Sequence, residues 1–459
     1  MICNLFSLIL GHCHAFPYQG DVTLRSHDSV IENARKVTNE RAKGNSMVHE
    51  KGIKGPTWLM LLPGLDMVDG ICIDYMHSVL GVQKLLLRLW FSSEFQKEAF
   101  SYYSKVDLVN SRLRSMRPPL DITRMPEDVS YLKHWKASVY KVFLLQLGLP
   151  SLHGVLKDDH FKHFQKLVYS VYTLLKSDIT PEEIKQARTN LDEFVADFEK
   201  LYAKRFLTLN VHRCLHLADQ VEAGGPLFCY SCFPFEDKNG YILKMIQGAR
   251  HVDSQVVSAI SMVQKLPLLA REFILPGTPE SELFNTMKSK HYFHKKVEIT
   301  RDIFVMGAIQ SKVMSTIDSD YNTLASELEV IDKSPICFRK FNRIYYKGMC
   351  IYGTDYKRMI KRDNSIIKFK SETGHSFARV KYFLQYSITE TQLSSPDNRN
   401  LAVVELLINK TDESSLIVAV NDSKKIKAID ICDIESQCMF AECHNGSFVM
   451  QFPNTVESE

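Results

Sequence analysis

FKHFQKLVYSVYTLLKSDITPEEIKQARTNLDEFVADFEKLY, residues 161–202, is the stretch whose reading settles the character of the chain. Phe161, Phe164, Val168, Val171, Tyr172 and Leu175 recur at three- and four-residue steps, one apolar stripe of an α-helix. Thr180-Pro181-Glu182-Glu183 then reads as a capping box with proline at the first helical position. It opens a second helix with Ile184, Ala187, Leu191, Phe194, Val195, Phe198 and Tyr202 on one face. Two amphipathic helices with so short a connection pack antiparallel. A third begins near Asn210 (NVHRCLHLADQVEAGGP) and stops at Gly224-Gly225-Pro226.

Downstream, the texture changes after about Pro335. ICFRKFNRIYY, SIIKFK, ARVKYFLQYSI, NLAVVELLI, SLIVAV and SFVMQF are short, rich in Val, Ile, Phe and Tyr, and separated by Gly, Asn, Asp and Ser. They predict a small all-β, barrel-like domain over 335–455. Between the two parts, 265–334 carries pieces such as IQSKVMSTIDSDYNTLASELEVI and reads as a helical linker. Upstream, PTWLMLLPGLDMVDGICIDYMH (56–77) combines an apolar run, a Pro-Gly turn and the β-branched segment Val68 to Ile73, the pattern of a buried strand leading into a helix. Residues 1–50 are polar and weakly periodic over most of their length and read as a poorly structured lead-in. The fold class expected is therefore α+β and multidomain, with a mainly helical centre over 51–264.

The 459 residues, 45% of them hydrophobic, suffice for two or three domains with real cores and exclude a disordered tail. A net charge of +4 is too mild to define a nucleic-acid binder by itself. The 11 cysteines stand mostly singly, which argues for reduced thiols in a cytoplasmic or nuclear protein. Leu5 to Leu10 is apolar but lacks the basic flank of a signal peptide, and no stretch is long and apolar enough to span a bilayer, so no membrane partner is expected.

Asp74-Tyr75-Met76-His77 places a carboxylate and an imidazole three residues apart at a helix start, where alone they would serve as a cap and a satisfied histidine. The surrounding text changes the reading. Gly55-Pro56-Thr57-Trp58-Leu59, Asp69-Gly70 and Asp74-Tyr75-Met76-His77-Ser78-Val79-Leu80-Gly81 together closely resemble the transposase domain of CACTA-type (En/Spm-like) DNA transposons, whose pattern is GxxxxLxxLPxFxxVDGFxxDYMHxxLLG. The resemblance continues through Arg117-Pro118-Pro119, Trp135-Lys136-Ala137-Ser138, Leu147-Gly148-Leu149-Pro150, Asn210-Val211-His212 with Leu215-His216-Leu217, and Ser231 to Glu236 with Asn239-Gly240. It covers roughly residues 50 to 255.

That resemblance implies a DDE-type nuclease and strand-transferase with a ribonuclease-H-like core, in which three acids hold two Mg²⁺ or Mn²⁺ ions at the scissile phosphate. It implies that Asp74 and His77 form the supporting Asp-x-x-His element, that Glu236 is the third acid, that the helices between them are an insertion, and that Asp74 and His77 lie near Glu236. The departures are as informative. The first two aspartates of the family lie upstream in core strands, and here Asp21, Asp28, Asp66 and Asp69 are available but sit in no matching motif. The Cys-x-x-Cys knuckle of the family is also missing from its place. A lone glutamate cannot hold two metals, so the expectation is no catalysis and no resident cofactor, with Mg²⁺ or Mn²⁺ bound only by an active form.

His212 and His216 stand four apart on one helix face, the spacing of paired metal ligands as well as of two buried, hydrogen-bonded histidines. From Arg339 to Lys381 there are twelve Lys and Arg against Asp355, Asp363 and Glu372, a balance of 12 − 3 = +9, with Phe338, Phe341, Tyr345, Tyr346 and Tyr352 interleaved. One reading is a solvated face with aromatics turned to a β core. The other is a phosphate-tracking surface in which Arg339, Lys340, Arg343, Lys357, Arg358, Lys361 and Arg362 bind DNA weakly and without sequence preference.

Three functions compete on these grounds: a degenerate or truncated transposase that keeps DNA contacts or self-association without cleavage, an active metal nuclease whose aspartates are unrecognised or encoded upstream, and a domesticated chromatin or protein scaffold. Nuclear residence follows only from the resemblance.

Overall fold

The structure, a computed structural model, describes residues 8–10, 13–20, 24–46, 49–288, 296–300, 302–318, 320–328, 334–357, 361–372, 374–388, 397–410, 416–443 and 446–454. It is an α+β protein with a helical centre and antiparallel strands toward the C-terminus. The chain divides into two compact units. The first comprises Met1–Ser231, Lys357–Val380 and Val404–Glu459; the second comprises Cys232–Tyr356 and Lys381–Val403. The long strands Gly374–Ile388 and Asp397–Asn409 each contribute residues to both.

The first unit is built on the two helices of the opening stretch, Asp158–Leu174 and Pro181–Leu201. The capping box closes as its sequence requires: Glu183 N–H donates to Thr180 Oγ1 at 3.2 Å and Thr180 N–H to Glu183 Oε2 at 3.0 Å. Against this pair lies Tyr75–Phe91, whose Trp90 is fully buried and meets the Phe164 ring edge-on at 5.5 Å. Phe194 and Phe198 are also fully buried; each such side chain contributes roughly 1.5–3 kcal/mol of burial.

Ala137–Val142 passes through the π-helical turn Phe143–Leu147 into Gly148–Leu152, and every residue of that turn is buried. A Cβ on Gly148 would lie 2.7 Å from the Phe143 carbonyl oxygen and 3.0 Å from the Phe164 ring, so only glycine fits. The strands Ile366–Ser371, Ile417–Asp430, Ile434–Gln437, Met439–Cys443 and Gly446–Met450 belong to the same unit, with antiparallel pairing throughout.

In the second unit, Lys296–Thr300, Ile303–Met306, Arg343–Tyr346 and Met349–Tyr352 form a four-stranded antiparallel sheet in that order. Its helices Phe233–Lys244, Val252–Phe273 and Pro279–Lys288 bury almost nothing, Ala270 being the one buried residue among their described side chains. Among the described residues no helix is long and apolar enough to cross a membrane.

Three expectations differ from what is observed. The lead-in over 1–50 contains a 16-residue helix, His27–Ala42, with Ser26 and Ser29 capping each other's amides. Its stripe is only Val30, Ala34 and Val37, too narrow to be read locally; Met67 and Val68 from outside the helix complete the cluster around Val30. Val68 to Ile73 is not a strand, because Asp66 Oδ1 accepts the amides of Val68 and Asp69 at 2.7 and 2.9 Å and holds the chain in a turn. In the linker, Gln310–Met314 is a strand paired with Ile336–Phe341, and within IQSKVMSTIDSDYNTLASELEVI the helix is confined to Tyr321–Glu327, with a separate helix at Pro279–Lys288.

Candidate functional site

Asp74 is the N-cap of Tyr75–Phe91: its carboxylate accepts the amides of Met76 at 3.2 Å and His77 at 2.9 Å. The same carboxylate meets His77 Nδ1 at 2.5 Å, with the imidazole largely exposed and the acid mostly covered. The three-residue spacing thus makes a cap and engages one ring nitrogen.

The Asn210 to Gln220 segment comes to this junction. Gln220 brackets Ile73, accepting its N–H at 2.6 Å and donating to its carbonyl at 3.2 Å, a side-chain imitation of a β-bridge. Asn210 Nδ2 donates to the His77 carbonyl at 3.3 Å. It approaches so closely that a Cβ on Gly81 would sit 2.5 Å from that nitrogen, which explains glycine there. The Asp-x-x-His and Asn-Val-His segments, far apart in sequence, are therefore one hydrogen-bonded joint. Sequence reasoning missed Gln220, since a single glutamine on an apolar helix face carries no local signal.

His212 and His216 belong to the same segment and are buried, 5% exposed each. Their Nε2 atoms are 3.4 Å apart, close to the edge of a tetrahedron drawn with Zn–N bonds of about 2.0–2.1 Å. Burial, with His216 beside it, pushes the His212 imidazole down to about 4, and burial lowers His216 as well, so both present neutral rings. Zinc needs two further ligands. Among the described residues, no group of three or more His, Cys, Asp or Glu side chains includes either histidine.

Two-metal chemistry makes its own demand, a set of carboxylates around both ions. Glu236 lies exposed in the first turn of Phe233–Lys244, in the second unit. Asp66 spends an oxygen on the amides of Asp69 and Val68, which hold its carboxyl below the usual range. Asp28 is exposed on a helix, and Asp21 lies outside the described residues. Among the described residues no cluster of three metal-capable side chains holds two carboxylates.

The basic stretch is divided between the units. In the second, Lys340 pairs with Asp355 at 2.6 Å and lies 3.8 Å from the centre of the Tyr382 ring. Arg339 donates to Gln385 at 2.9 Å, Arg343 lies over Tyr356 at 4.6 Å, and Lys381 pairs with Asp320 at 2.9 Å. In the first, the Arg362 guanidinium donates to the carbonyls of Pro119, Ile122 and Thr123, a structural role in place of the expected free surface charge. Lys357 and Lys361 are exposed, and Arg358 lies outside the described residues. Phe338, Phe341, Tyr346 and Tyr352 are buried, so these aromatics serve a β core and offer no stacking platform.

No family model, no curated protein and no solved structure matches this chain.

Proposed function

We propose that this chain derives from a CACTA-type transposase and no longer cleaves DNA, with Asp-x-x-His kept as a structural joint between the helix start and the Asn210–Gln220 segment. In this reading the helices between Asp74 and Glu236 are the insertion of a ribonuclease-H-like core, and the C-terminal strands are a barrel-like appendage. The observation that carries the proposal is the bracket of Gln220 on Ile73 together with Asn210 on His77. Two separate elements of the resemblance support each other physically, while Asp74 is committed to a helix cap and Asp66 to a turn. The test is nicking of supercoiled plasmid in Mg²⁺ and in Mn²⁺. No nicking above background is expected; metal-dependent nicking that vanishes in Glu236→Ala overturns the proposal.

Residual DNA binding is a second reading, favoured by the exposure of Lys357 and Lys361. Each phosphate that a variant no longer neutralises should flatten the log–log dependence of affinity on salt by about 0.9. Lys357→Ala with Lys361→Ala is the proper variant, since Arg362→Ala would also remove hydrogen bonds to the 119–123 loop. An unchanged slope assigns these charges to solubility.

A further inference from the structure

Val252–Phe273 is a 22-residue helix with one buried side chain, Ala270. Helices that expose apolar residues at this density are completed by a partner. Met262, Leu266, Leu269 and Phe273 follow each other at steps of four, three and four, the seam of a two-stranded coiled coil. They are 66%, 54%, 48% and 72% exposed. Four side chains of this size present on the order of 400 Å² of apolar surface, enough to mark a contact; about 800 Å² over two copies suits a weak, reversible one.

The seam stops at Met262 for a visible reason. Gln255, one heptad before Met262, turns its amide back onto Gln247, Gly248 and Arg250, at 2.8, 3.0 and 2.7 Å. Pro267, whose ring interrupts the helical hydrogen bonding, falls on the side away from the seam and does not obstruct it.

We infer that this helix pairs with the same helix of a second copy of the chain, antiparallel, as an isologous dimer contact. The flanking charges choose both partner and direction. Lys265 and Glu272 stand immediately before Leu266 and Phe273, at equivalent flanking positions one heptad apart. In an antiparallel pair with Leu266 against the partner's Leu269, Lys265 of each copy faces Glu272 of the other, giving two symmetric ion pairs. A parallel pair sets Lys265 opposite Ala270 and gains none. The same helix carries Asp253, Lys265, Arg271 and Glu272, no net charge, so self-association meets no electrostatic opposition. The inference stands independently of the transposon-derived reading.

Sedimentation velocity of the full chain across the micromolar range tests it. A reversible monomer–dimer equilibrium is expected. Leu266→Asp with Leu269→Asp should weaken it at least about a hundredfold. Lys265→Glu alone should raise the dissociation constant roughly three- to tenfold, and Lys265→Glu combined with Glu272→Lys should restore it. The charge variants leave the apolar seam intact, so a folding defect in the aspartate variant does not decide the outcome. A wild-type chain that stays monomeric, a dimer indifferent to the aspartates, or a charge reversal that the second reversal does not rescue each overturns the inference.

Discussion

Asp158–Leu174 with Pro181–Leu201 and Val252–Phe273 with Pro279–Lys288 are both consecutive helix pairs, yet they have opposite fates. The first pair turns its stripe inward and seals it with aromatics and histidines. His163 stacks on Phe194 at 4.2 Å and meets the Phe194 carbonyl at 2.8 Å through Nε2. Tyr102 hydroxyl meets His160 Nδ1 at 2.9 Å in the same core. The second pair leaves its large apolar side chains outside. The lesson is that amphipathic spacing establishes a helix and one sticky face but is silent on whether that face is satisfied within the chain.

The comparison breaks most readily at its buried side. Phe198→Ala should cost about 3–5 kcal/mol of unfolding free energy in denaturant titrations, whereas Phe273→Ala, measured under dilute monomeric conditions, should change it by less than about 0.5 kcal/mol. Equal losses would erase the distinction between the two pairs.

Acid should act on the buried unit next. Burial pushes His163 down to about 4 and His212 to about 4, each below the unfolded value of about 6.5. For a histidine with a depressed folded pKa, the unfolded chain takes up the proton first. Stability is therefore complete above about pH 6.5 and is lost as pH falls toward 4, by up to about 1.4 kcal/mol per pH unit for each ring. The carboxylates held low, Asp66 and Asp197 among them, act only at lower pH, so the interval between about 5 and 6.5 isolates the histidines. His163→Gln should flatten the slope there; an unchanged slope would show that its ring takes up the proton equally in the folded and unfolded states.

Gly81→Ala should cost about 1–3 kcal/mol because its new methyl meets Asn210 at 2.5 Å, and Asn210→Ala on that background should recover part of the loss. Additive losses would mean that the two segments are not in contact. The smallest effect belongs to Thr180→Ala, about 1 kcal/mol for the missing cap, read from the same titrations.

What could be read in the sequence was whatever is local. The Thr180 capping box, the helices over 161–175 and 184–202 and the C-terminal strands carry their signal within a few residues, and the structure has them, with Gly374–Ile388, Asp397–Asn409 and Ile417–Asp430 much longer than the short runs that announce them. The helix of Val30, Ala34 and Val37 went unread because its cluster is completed by Met67 and Val68, and Val68 to Ile73 misled because a β-branched run was folded into a turn by Asp66. At the candidate site, the capping role of Asp74 was legible from spacing. The bracket of Gln220 on Ile73 was not, since it depends on a pairing across 147 residues. Arg362 shows the same limit: a charge count cannot reveal that a guanidinium is spent on three carbonyls.

The π-helical turn Phe143–Leu147 has a consequence for chain length. A π turn houses one residue more than the α-helix it interrupts, so it behaves as a one-residue insertion absorbed without breaking the helix. Removing a single residue between Phe143 and Leu147 would restore ordinary winding and leave Ala137–Val142 and Gly148–Leu152 facing as they do now, because a π turn winds less per residue than the α-helix it interrupts. Val139, Tyr140 and Val142, now buried, would stay covered. A one-residue deletion should therefore be tolerated in this turn far better than in a regular helix such as Asp158–Leu174, where each lost residue turns one side of the helix by about 100° against the other.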